Sequence, residues 1–126
     1  MTGYNVASRS IMTAADYPLL GEVEQLVLLA TLRLGDDAYA VPIRALILEE
    51  AGVTLSRGTV YVTLERLERK GYVTSWFSDP QAVRGGKARR LFRLKPPGLG
   101  AIKAAKQAMD RLATGTELVK PVRRKA

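Results

Sequence analysis

The 126 residues contain no histidine and no cysteine. The side chains that most often act as general base, nucleophile or transition-metal ligand are therefore missing together. No carboxylate pair or nucleophile–base pair has a spacing that supports catalysis, so no enzyme, metal site or cofactor is expected. The groups that could do chemistry are cations and short hydroxyls. Ser56-Arg57-Gly58-Thr59, with Tyr61 and Thr63 just beyond, opens a segment of helical rhythm. Further along, Arg84, Lys87, Arg89 and Arg90 surround Gly85-Gly86. Such groups meet phosphate oxygens and base edges rather than making or breaking bonds. The Arg-Gly-Gly-Lys run is no nucleotide-phosphate loop, because the GxxxxGK[ST] spacing is absent.

The charge distribution agrees. Residues 1–79 hold seven basic and ten acidic side chains, whereas residues 80–126 hold thirteen and two, which gives the net +8 of the chain. A basic second half calls for a polyanionic partner, nucleic acid before anionic lipid. The longest apolar stretch, Leu26 to Leu32, is too short to span a membrane. No secretory pattern opens the sequence. A cytoplasmic protein without a membrane partner is expected.

Elements that would position these groups can be read from periodicity. Residues 1–18 show no period and read as a flexible arm, with at most one short helix near residues 11–15. Val23, Leu26, Val27, Ala30 and Leu34 recur at helical spacing, and Leu28, Leu29 and Leu32 widen that face into a helix expected to be buried. A second helix runs from about Pro42 to Gly52 with Ile43, Leu46 and Ile47 inward. The third, Arg57 to Lys70, has Ser56 as N-cap, a Leu55/Val60 staple, an inward stripe of Val60, Leu64 and Leu67, and Gly71 as its stop. Thr59 and Thr63 are expected off that stripe, facing outward, and Arg66 and Arg69 to form a solvated face with Glu65 and Glu68.

From Tyr72 the period becomes two. Two strands held by Phe77, Phe92 and Leu94 would carry a basic tip. Tyr72 and Trp76 are expected to pack against a neighbouring helix rather than line a pocket. After Pro96-Pro97-Gly98, Ile102, Ala105, Met109 and Leu112 form a narrow stripe, as on a helix that pairs with another. The order helix, helix, helix, hairpin, helix is that of a winged helix-turn-helix, whose third helix enters the DNA major groove while the hairpin follows the phosphates. The expected class is mainly α with a small β-hairpin. Residues 19–96 form the winged helix, 97–113 a C-terminal dimerisation helix and 114–126 a disordered basic tail.

Three blocks in order, EVEQLVLLATLRLGDDAYAVPI, LSRGTVYVTLERLERKGYVTSW and RGGKARRLFRLKPPG, resemble the PadR-like transcriptional regulators over about residues 20 to 112. The resemblance implies a homodimeric repressor of double-stranded DNA, often released by a small molecule or stress. It places Ser56, Arg57, Thr59, Tyr61 and Thr63, with Arg84 and Lys87 of the hairpin, at the DNA, and the cation cluster of the hairpin adds Arg89 to that expectation. Ile102, Ala105, Met109 and Leu112 fall in the dimer contact. The single C-terminal helix matches the short members of the family and leaves less protein for an effector pocket. The competing expectation is a winged-helix protein-interaction module with non-specific nucleic-acid affinity. RNA binding has little support, because the hairpin carries no aromatic stacking platform.

Overall fold

The computed structural model describes residues 19–79 and 88–119. The elements are α1 (Glu22–Leu34), a 3-10 turn (Gly35–Asp37), α2 (Ala40–Ala51), α3 (Arg57–Arg69), strands β1 (Val73–Phe77) and β2 (Arg90–Leu94), and α4 (Pro96–Ala113). The first three helices pack on one another, and the antiparallel strand pair lies against α1 and α3. Val27, Leu28, Ile43, Val60, Leu64, Leu67, Val73 and Phe92 make a single sealed core. Each large side chain withdrawn from water there contributes about 1.5–3 kcal/mol.

Both ends of α3 are fixed by local chemistry. At its start Ser56 Oγ accepts the Thr59 N–H at 3.0 Å. At its end Gly71 adopts φ +81°, a left-handed turn open to glycine. The Gly71 N–H then reaches the Glu68 carbonyl at 3.0 Å, and the Tyr72 N–H reaches that of Leu67 at 2.9 Å. This is a Schellman closure, with Tyr72 and Leu67 both buried. It turns the chain straight from helix into β1.

The strand register pairs Val73 with Leu94, Ser75 with Phe92 and Phe77 with Arg90. The Phe92 N–H also donates to the Ala38 carbonyl at 2.8 Å, which ties β2 to the α1–α2 connection. Phe77, expected to hold the strand pair, is exposed instead. It sits opposite Arg90, and the Arg90 side chain turns toward α3 at that level of the hairpin. Leu29 and Leu32 are likewise half exposed, so α1 is buried on one face only.

Helix α4 begins at Pro96 itself, with prolines in its first turn, where a missing N–H leaves no acceptor unsatisfied. Gly98 there lies so close to the Tyr72 backbone that a Cβ would stand 2.1 Å from the Tyr72 carbonyl oxygen. Residues 114–119, expected to be disordered, continue as turns in which the Thr116 N–H bonds the Ala113 carbonyl at 3.0 Å.

A polar tie joins the start of α1 to the end of α3. Glu24, buried, accepts the Gly21 N–H at 2.8 Å and the Lys70 ammonium at 2.7 Å. Burial opposes its ionisation, but the hydrogen bonds from Lys70 and Gly21 and the charges of Lys70 and Arg66 outweigh that, holding the carboxyl below its ordinary value of 4.5. A depressed carboxyl contributes stability that is full above the unfolded pKa and lost as pH falls through the folded one. Glu24→Gln should therefore cost about 1 kcal/mol at neutral pH. The gap from the parent should close as the pH falls below about 4.5, measured by urea unfolding across pH. Gly98→Ala should lower stability by about 2 kcal/mol or more, because α4 must shift to admit the methyl.

Candidate nucleic-acid interface

The first turn of α3 stands clear of the core. Ser56, Arg57, Gly58 and Thr59 are all exposed, and Ser56 also donates its hydroxyl to Thr59 Oγ1 at 2.9 Å. With the Thr59 N–H taken by the cap, the Arg57 and Gly58 N–H groups have no acceptor within the helix. They point along the positive end of the helix dipole, beside the Arg57 guanidinium. The fold does not require a glycine at 58. A Cβ there would have only Ser56 Oγ nearby, at 3.9 Å, and φ is not in the left-handed region.

Thr63 corrects the expectation from sequence. It is 3% exposed, and its hydroxyl donates to the Thr59 carbonyl at 2.7 Å. Thr63 stands three residues after Val60 and four before Leu67, which puts it on the inward face. The back-bond satisfies its only strong donor, so it buries without an orphaned polar group. The residue that faces outward is Val62, four after Gly58 and seven before Arg69. The same spacing argument would have found it.

Tyr61 and the hairpin are joined by Arg90. Its guanidinium reaches the Tyr61 hydroxyl at 2.6 Å, Glu68 at 2.8 Å and Glu65 at 3.3 Å, while Nε donates to Ser75 Oγ at 3.2 Å. Ser75 in turn donates to Glu68 at 2.8 Å. Arg90 also lies over the rings of Tyr61 and Phe92, at 5.4 and 5.1 Å from their centroids. Burial disfavours its charge, but Tyr61, Glu65 and Glu68 more than restore it, so its pKa is raised. Arg90 is thus not a free phosphate-binding cation of the tip. Glu65 and Glu68 are engaged by it rather than by Arg66 and Arg69.

Arg89 remains exposed, stacked 4.7 Å from the centroid of Tyr39 at the start of α2. Arg93 covers Trp76 at 4.8 Å and pairs with Asp36 at 3.3 Å. Arg84 and Lys87 lie outside the described residues. Of the described sites, Ser56, Arg57 and Thr59 lie in the turn before Tyr61, Tyr61 is joined to Arg90, and Arg89 precedes Arg90 in the chain.

The α4 residues divide. Ile102 is 4% exposed and packs within its own protomer's core, and Ala105 packs against that core, which removes Ile102 from a free dimer surface. Met109 and Leu112 are 64% and 81% exposed. Among the described residues no helix is long and apolar enough to cross a membrane.

Three packed helices, a hairpin locked beside the third, and a fourth helix define a winged helix-turn-helix protein. Residues 28–104 match the family described as "Transcriptional regulator PadR-like family", and the chain belongs to it. It is 39% identical over 66 residues to the transcriptional regulator Rv3488 of Mycobacterium tuberculosis, covering 52% of this chain and 58% of that one. Among solved structures, a PadR-like transcription factor of Bacteroides fragilis superimposes with a TM-score of 0.63 at 20% identity, covering 78% of this chain and 89% of that one. A PadR family transcription regulator of Clostridium difficile superimposes with a TM-score of 0.60 at 26% identity, over 74% and 95% of the two chains.

Arg90→Ala should cost about 1–3 kcal/mol by leaving two half-buried carboxylates without their cation. Arg90→Lys should recover only part of this, because an ammonium cannot present a planar fork to several acceptors. Thermal unfolding and amide hydrogen exchange at Arg90–Phe92 provide the readout.

Proposed function

We propose that the chain is a sequence-specific, DNA-binding transcriptional regulator that acts as a homodimeric repressor on a pseudo-palindromic operator. The observation that carries this is the first turn of α3. It is capped, exposed and carries Arg57, it is stripped of side-chain bulk at Gly58, and Arg90 ties the turns that follow it, through Tyr61, Glu65 and Glu68, to the wing. Ser56, Arg57 and Thr59 meet phosphate and base edges, and Tyr61 lends its hydroxyl proton to a phosphate while accepting from Arg90. Arg89, with Arg84 and Lys87, adds sequence-independent affinity along the backbone.

Two copies place their α3 helices in successive major-groove faces, about 34–36 Å apart. Met109 and Leu112, apolar and exposed near the end of α4, support pairing through that helix. An apolar recess of about 180 Å³ between α1 and α2, lined by Leu26, Leu29, Leu46 and Ile47, is where a small effector would lodge within one protomer. The Arg33–Glu50 ion pair, 3.3 Å apart, stands at that recess.

The test is fluorescence anisotropy on DNA from around the protein's own gene and on scrambled DNA, across a salt series. Sequence-selective binding should appear at moderate salt, and Arg57→Ala should weaken it by about 1–3 kcal/mol. Gly58→Ala should raise the melting temperature, since alanine is the better helix former by about 0.5–1 kcal/mol, yet weaken DNA binding by crowding the groove. Equal, steeply salt-dependent binding to both DNAs, unchanged in both variants, would instead favour the protein-interaction module.

A further inference from the structure

Resting on the DNA-binding reading above, we infer that Val62 is the specificity residue of α3 and packs on the C5-methyl group of a thymine in each half-site. Val60, Thr63, Leu64 and Leu67 take the inward face, which sends Gly58, Val62 and Arg69 to the opposite side. Val62 is 50% exposed there. A β-branched residue in mid-helix is a poorer helix former than alanine, and outward-facing it adds little to the core. A lone exposed valine would call for no explanation. This one sits one turn beyond a glycine that the fold does not require either.

The two positions make a short apolar row between polar flanks. On the wing side stand Tyr61, Glu65 and Glu68, drawn together by Arg90. On the other stand Thr59 and Arg66, both exposed. The valine side chain is short, so it reaches a groove floor only if the helix backbone comes close, and the bare Gly58 allows that approach.

The chemistry of the groove selects the contact. Along the major groove every base edge presents donors or acceptors, and in unmodified DNA only thymine adds an apolar group. A valine pressed against N7, O6 or N4 would strip water from a polar atom and return no hydrogen bond. Against a thymine methyl it removes apolar surface from water on both sides.

The test first selects a preferred site from a random duplex pool with the full chain. Each thymine of that site is then replaced singly by deoxyuridine, which removes only the methyl. One thymine in each half-site should become sensitive, with binding weakened about threefold to fivefold, as expected for one buried methyl. Val62→Ala should weaken binding to the parent site by a similar factor and abolish that sensitivity. Val62→Thr, which keeps one methyl, should retain part of it. Thermal unfolding of Val62→Ala should match or exceed that of the parent, which separates the effect from misfolding. A selected site with no deoxyuridine-sensitive thymine, or a sensitivity that persists unchanged in Val62→Ala, would overturn the assignment while leaving the regulator reading intact. Failure to select any preferred site would overturn both.

Discussion

Arg90 is the interaction on which the joint between α3 and the strand pair, and with it the proposed reading surface, depends. Its guanidinium gathers Tyr61, Glu65 and Glu68 from α3 and Ser75 from β1, and its own backbone belongs to β2. Helix α3 and strands β1 and β2 are thereby one body. The charge consequence matters as much as the geometry. In the docking we propose, Glu65 and Glu68 sit on the helix that would face a polymer carrying about one negative charge per 1.7 Å. Uncompensated, they would oppose docking. With Arg90 among them, one of their two negative charges is cancelled, and the positive character of the face comes from Arg57, Arg66, Arg69 and Arg89.

Rigidity of α3 has independent sources that reinforce one another. The Ser56 cap fixes its entry, the closure at Gly71 fixes its exit, and the Glu24–Lys70 tie holds the exit against α1. Desolvating these groups has a cost that hydrogen bonding offsets, so their net stabilising effect is modest. What they confer is pre-organisation. A helix already held in one orientation loses less freedom on binding, so more of its contact energy appears as affinity.

The order of elements and the limits of α3 were legible in the sequence because their signals are local. Ser56, Gly71 and the Val60/Leu64/Leu67 spacing act within a few residues. Thr63 was misread because a threonine looks polar in a pattern, whereas its hydroxyl is satisfied by the carbonyl one turn back and its methyl then packs inward. Arg90 was misread for the opposite reason. Its acceptors lie 15 to 29 residues away in the chain, and no spacing rule reaches that far. Ile102 shared a stripe with Met109 and Leu112, but a stripe does not reveal where a helix leaves its own core. Here α4 contacts the core near its start, and its later turns stand away from it.

We propose that the outer face of α3 and the wing beside it form the DNA-reading surface. A titration of the isotope-labelled chain with a selected duplex and with scrambled DNA, followed by backbone amide NMR, addresses it most directly. Large, duplex-specific shifts should fall on residues 56–62 and on Arg89, with the core amides of Leu64, Leu67 and Phe92 little changed. Shifts confined to the C-terminal basic residues, and the same for both duplexes, would contradict it.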